Sequence, residues 1–109
     1  MENTFGIKLS QQAQVTRFVQ QYQLETDVAT RYVDLVSEVG ELGKEILEST
    51  RYGKADYQPG AGATMELGDC LFSLLALAHQ MGIDSEAALA GALEKYEQRF
   101  VEKGRISSM

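Results

Sequence analysis

Glu66-Leu-Gly-Asp-Cys-Leu-Phe-Ser-Leu-Leu-Ala-Leu-Ala78 opens with two acids three residues apart and then runs apolar on almost every side. A stretch with no alternation and no Pro over several turns predicts a helix that is central in its domain or lies in a subunit interface. The two acids therefore enter a packed region. An ionised carboxylate placed there loses hydration worth several kcal/mol unless a cation or hydrogen-bond donors replace it.

A matching pair stands upstream in Ser37-Glu-Val-Gly-Glu-Leu-Gly-Lys-Glu-Ile46. At about 100° per residue, Asp34, Glu38, Glu41, Glu45 and Glu48 fall within an arc of roughly 80°, beside an apolar face of Leu35, Val39, Leu42 and Ile46. Taken alone, such a ridge is an ordinary solvated helix face. Like charges four residues apart repel, however, and only Lys44 interrupts them. If this helix packs antiparallel to the one after Glu66, then Glu38, Glu41, Glu66 and Asp69 surround one cavity. Three-residue spacing puts both members of each pair on neighbouring azimuths, so each helix offers two oxygen ligands to one point. Hard oxygen donors on rigid helices suit Mg²⁺, with Mn²⁺ as a substitute. Gly40 and Gly68, inside the pairs, leave room for close helix approach or for a ligand.

The rest of the chain supports an all-α reading with four helices in one domain spanning residues 1–109. Ser10 is a cap for a first helix reaching about Gln23, on which Val15, Phe18, Val19 and Tyr22 form a core-facing stripe. Thr26 or Asp27 caps a second helix ending near Arg51, just before Gly53. The segment 52–63 contains three Gly and the only Pro, Pro59, and reads as a loop. Thr64 is the expected cap of the third helix, which Gly82 stops after Met81. A fourth helix starts at Asp84 and Ser85 and runs to about Lys103, with Gly104 ending it and Arg105 to Met109 frayed.

Composition narrows the function classes. A net charge of −6 argues against nucleic-acid and anionic-membrane surfaces, which need clustered Lys and Arg. The N-terminus lacks the pattern of a signal peptide, and the apolar run falls short of the roughly 20 residues of a membrane span. A lone Cys70 excludes an intrachain disulfide, and a cytoplasmic location is expected. His79 is the only histidine and follows no Glu at the spacing of a di-iron bundle, so it reads as a helix-surface residue. Zinc lacks its nitrogen and sulfur donors. No Walker loop, Rossmann fingerprint, EF-hand or nucleophile elbow is present.

With both acidic pairs and the Gly/Pro loop between them, the sequence resembles the MazG-like, all-α nucleoside triphosphate pyrophosphohydrolase superfamily from about residue 10 to residue 105. The resemblance implies a four-helix MazG-like bundle completed by oligomerisation as a homodimer or homotetramer. It implies cleavage of a nucleoside triphosphate between its α and β phosphates to a monophosphate and pyrophosphate, in nucleotide-pool housecleaning. Phosphoribosyl-ATP and dUTP- or dCTP-selective pyrophosphatases are the alternatives in the superfamily. A noncatalytic nucleotide-sensing or helical interaction module is the alternative of another class.

In that reading Glu38, Glu41, Glu66 and Asp69 hold Mg²⁺, and Glu38 or Glu41 also accepts the proton of the attacking water. Relatives carry basic residues on the last helix, where Lys95 and Arg99 stand four apart. These two, with Lys54, are the expected phosphate contacts, and pairing with Glu94, Glu97 and Glu102 on an exposed face is the alternative. Arg51 and Lys103 are weaker candidates. Many relatives stack the base on a tryptophan. This chain has none, leaving Phe5, Phe18, Tyr22 or Tyr57 to take that part.

Overall fold

The computed structural model describes residue 2 and residues 6–103, so Phe5, Gly104 and the expected fraying of Arg105 to Met109 lie outside the described residues. Four helices follow in order: α1 (Gln11–Gln21), α2 (Val28–Ser49), α3 (Ala61–Met81) and α4 (Ser85–Lys103).

The helix ends follow from local chemistry. The Ser10 hydroxyl accepts from the Ala13 N–H at 3.1 Å, and the Asp27 carboxylate accepts from the Thr30 N–H at 2.6 Å, each satisfying a donor that the helix itself cannot. Thr26 does not cap α2, and its N–H instead reaches the Gln80 side chain at 3.5 Å. α2 stops slightly before Arg51 because Arg51 and Tyr52 take left-handed backbone angles, φ +51° and +60°.

The start of α3 differs from expectation. The helix begins at Ala61 behind Gly60, and Thr64 lies in its first turn, donating its hydroxyl back to the Gly60 carbonyl at 3.2 Å. Ala61 and Ala63 are strong helix formers and carry the helix back to the Pro59-Gly60 break. At the other end Gly82 adopts φ +70°, and the Ile83 N–H closes on the Ala78 carbonyl at 3.0 Å, the glycine-terminated stop expected there. Asp84 then caps α4, its carboxylate accepting from Glu86 at 2.9 Å and Ala87 at 3.3 Å.

α3 is the central helix, packed against α2 along most of its length and against α1. Asp34 faces Ser73 and Glu45 faces Gly62, so numbers on α3 fall as those on α2 rise and the pair is antiparallel. Val19, Leu75, Ala76 and Leu77 form the buried apolar core. His79 is not a surface residue as expected. It is half-buried, bonded through Nδ1 to the Thr16 hydroxyl at 3.2 Å and through Nε2 to the Glu25 carboxylate at 2.9 Å.

α4 stands apart from this core. None of its residues is buried, and Leu89, Leu93, Tyr96 and Phe100 leave an apolar stripe uncovered. Its start is tied to α1 by Gln12, whose amide donates to the Ile83 carbonyl at 2.7 Å and accepts from the Ser85 N–H at 2.6 Å. The radius of gyration is 17.2 Å, against about 13 Å for a compact chain of this length.

By length and composition α3 is also apolar enough to cross a membrane, longer than the bare apolar run suggested. Glu66 and Asp69 in its first turns, Ser73 bonded to Asp34 and His79 bonded to Thr16 make it a poor span.

Candidate metal centre

α2 and α3 bring Glu38, Glu66 and Asp69 together: one ligand atom from each lies within 4.8 Å of the others, with both glutamates half-buried and Asp69 exposed. Antiparallel packing at matching turns does this, since Glu38 follows Asp34 by one turn and Asp69 precedes its partner Ser73 by one turn. Glu41 does not join the group of three. It is exposed, one turn further along α2, yet near enough to Glu66 and Glu38 for its charge to act on both.

The electrostatics are those of an uncompensated acidic cluster. Loss of hydration first, and then the charges of Asp69, Asp34, Glu66 and Glu41, push the Glu38 carboxyl above the ordinary glutamate value of 4.5. Glu66 is raised in the same way, by lost hydration and then by Asp69, Glu41 and Glu45. Among the described residues no Lys or Arg forms an ion pair with Glu38, Glu41, Glu45, Glu66 or Asp69, and only Asp34, one turn away, has a cationic neighbour, Arg31 at 3.8 Å. Cys70 lies beside the cluster, and burial with the adjacent negative charge raises its thiol, so it is a poor nucleophile.

Three oxygen donors from two rigid helices fit a hard divalent cation that completes its shell with water or phosphate oxygens. The close glycine contact considered from sequence is absent at Gly40 and Gly68, where an added Cβ would meet nothing within 4 Å. It occurs at Gly62, where a Cβ would overlap the Glu45 carboxylate.

The expected phosphate contacts are not gathered here. Lys95 lies over its neighbour Tyr96 at 5.0 Å from the ring centroid, Arg99 is half-buried on α4, and Lys54 is exposed in the segment between α2 and α3. Lys95 and Arg99 also lack the ion pairs with Glu94, Glu97 or Glu102 that an ordinary charged face would offer. Arg51 and Lys103 are exposed as well.

Of the aromatic candidates among the described residues, Phe18 lies on the same hollow as Asp69. It borders an open hollow of ≈ 470 Å³ with Gln14, Val15, Asp69 and Phe72. Its ring meets Phe72 edge-on at 5.8 Å and Tyr22 at 4.8 Å. Tyr57 is exposed in the 52–60 segment. Phe72 was missed as a wall of this hollow, although its position three residues after Asp69 places it on the same side of α3.

The four-helix scaffold thus aims acids from two antiparallel helices at one point, a cluster of the kind that can hold a metal ion. The chain belongs to the MazG family: the model of the MazG nucleotide pyrophosphohydrolase domain matches residues 27–101, from the cap of α2 into the last turn of α4. No curated protein and no solved structure matched the chain.

Proposed function

We propose that residues 1–109 form one domain that hydrolyses (d)NTPs between the α and β phosphates with Mg²⁺, releasing a monophosphate and pyrophosphate in cytoplasmic nucleotide-pool housecleaning. The observation that carries this reading is the convergence of Glu38, Glu66 and Asp69, without a cationic partner, in a chain of the nucleotide pyrophosphohydrolase family. Mg²⁺ bound there neutralises phosphate charge and acidifies a water for in-line attack.

The chain's own residues divide the remaining work. Glu38, Glu66 and Asp69 hold the ion, and Glu41, on the solvent side, adds a fourth carboxylate. Glu38 or Glu41 takes the proton of the attacking water. The base lies in the hollow against Phe18 and Phe72, within reach of Asp69. Lys95, Arg99 and Lys54, which this structure does not gather at the acids, remain the basic residues assigned to the phosphates and would have to approach them when nucleotide binds. The uncovered stripe on α4 and the open side of α3, where Leu71 and Leu74 are exposed, are covered by further copies of the chain in a homodimer or homotetramer.

The test is a panel of canonical and modified nucleoside triphosphates with Mg²⁺, with pyrophosphate and monophosphate measured separately from orthophosphate. Pyrophosphate release that is lost with EDTA, and lost in Glu41→Gln and Asp69→Asn while the fold is retained, is the expected result. Saturable nucleotide binding with no pyrophosphate from any substrate would instead identify a noncatalytic module.

A further inference from the structure

The run Cys70 to Ala78 is apolar except for Ser73, and Ser73 is 2% exposed in a protein whose core is otherwise small and aliphatic. Its hydroxyl donates to Asp34 Oδ2 at 3.3 Å. Asp34 in turn lies 3.8 Å from the Arg31 guanidinium, which is 8% exposed and donates to the Leu24 carbonyl at 2.5 Å. This polar network joins the segment before α2, α2 itself and α3 at one level of the bundle.

Its position is informative. Asp34 stands one helical turn before Glu38, and Ser73 one turn after Asp69, so the lock sits on the same two helix faces as the carboxylates, about 6 Å along the axis from them. Among the described residues no other hydrogen bond or ion pair joins α2 to α3, and apolar packing, being non-directional, sets the distance between helices better than their axial register. A hydrogen bond from a buried hydroxyl does favour one register, because a slip takes Ser73, 2% exposed, away from the half-exposed Asp34 carboxylate that accepts from it. Ligands of a small hard cation must be held to about 0.5 Å. Two other ties between the segment before α2 and α3, Glu25 with His79 and Thr26 with Gln80, lie at the opposite end of the pair, further from the acids.

We infer that Ser73 and Asp34 are positioning residues for the cation site: their hydrogen bond sets the axial register of α2 on α3 and thereby brings Glu38 to Glu66 and Asp69. This rests on the metal reading of those three carboxylates. Neither Ser73 nor Asp34 belongs to the group of three carboxylates that converge.

The test is a double-mutant cycle of Ser73→Ala, Asp34→Ala and both together, read as Mn²⁺ affinity from the free-ion EPR signal and, in parallel, as melting temperature in chelator. At 3.3 Å to a half-exposed carboxylate this is a hydrogen bond of ordinary strength, which predicts that Ser73→Ala weakens Mn²⁺ binding by about two- to tenfold in the wild-type background. In the Asp34→Ala background the same change should do nothing, because the partner through which Ser73 acts is gone. An equal loss in both backgrounds, or unchanged affinity with only a lowered melting temperature, assigns Ser73 to packing and overturns the inference. A wild-type protein that takes up no Mn²⁺ refutes the metal reading and the inference with it. Mn²⁺ uptake without turnover refutes hydrolysis alone, and the cycle still decides the role of Ser73.

Discussion

Gly68 lies between Glu66 and Asp69 inside α3, at ordinary helical angles, and a Cβ built there meets nothing within 4 Å. Gly68→Ala therefore adds no clash and removes the entropic cost of a glycine in a helix interior, which is about 0.8–1.0 kcal/mol. With an unfolding entropy of about 2.1 cal/mol/K per residue, a chain of 109 residues loses about 0.23 kcal/mol of stability per degree near its midpoint. The substitution should raise the melting temperature by about 4 °C. Circular-dichroism melts in EDTA measure this without metal. Gly82→Ala is the internal control: at φ +70° a side chain is strained, so that melting temperature should fall. An unchanged or lowered value for Gly68→Ala, beside the expected fall for Gly82→Ala, would refute the reasoning, because it would mean that something occupies the space over Gly68 in solution.

Three further outcomes follow from the same geometry. Glu38 and Glu66 have carboxyls raised above their unfolded value, so in chelator the folded state binds more protons than the unfolded one, and stability should rise as pH falls from 7 towards 4.5. Excess Mg²⁺ should flatten that slope in melts across the range, and the opposite contribution of Asp27, whose carboxyl is lowered by its bonds to Thr30, is lost only below its ordinary 3.8. Ser10→Ala removes the cap on the Ala13 N–H and should cost about 1 kcal/mol, a fall of about 4 °C in the melting temperature. Leu93→Asp, on the uncovered stripe of α4, should leave the helical signal intact while sedimentation velocity shows a smaller particle than wild type.

The two acidic pairs, the Gly82 stop and the Ser10 and Asp27 caps were readable because each depends on neighbours within a few residues. The antiparallel approach of α2 and α3 was also accessible, since the apolar run of α3 demanded a partner and the acids shared a face. What escaped depended on contacts distant in sequence. Thr64 looks like a cap by composition, and only the backbone shows that Ala61 and Ala63 extend the helix past it. His79 has nothing nearby in sequence to predict Thr16 and Glu25 as its partners. Ser73 did carry a signal, as the lone hydroxyl in an apolar run, but its meaning required Asp34 opposite. The looseness of α4 was invisible, because the periodicity of Leu89, Leu93, Tyr96 and Phe100 is that of any packed helix and does not say which chain covers it.

The Gln12 fork at the start of α4 makes that helix a lever. At about 1.5 Å per residue, Lys95 lies about 15 Å from Ser85 and Arg99 about 21 Å. A tilt of about 10° at the Gly82 to Ser85 turn would therefore displace Lys95 by about 2.6 Å and Arg99 by about 3.6 Å, the difference between a phosphate contact made and one missed. Glu38, Glu66 and Asp69 would not move, because α2 and α3 are clasped along their length. In the proposed reading, in which Lys95 and Arg99 meet phosphate, the carboxylate half of the site is thus mechanically stiff and the basic half compliant, and a substitution at Gln12 alters the grip on phosphate without touching the acids.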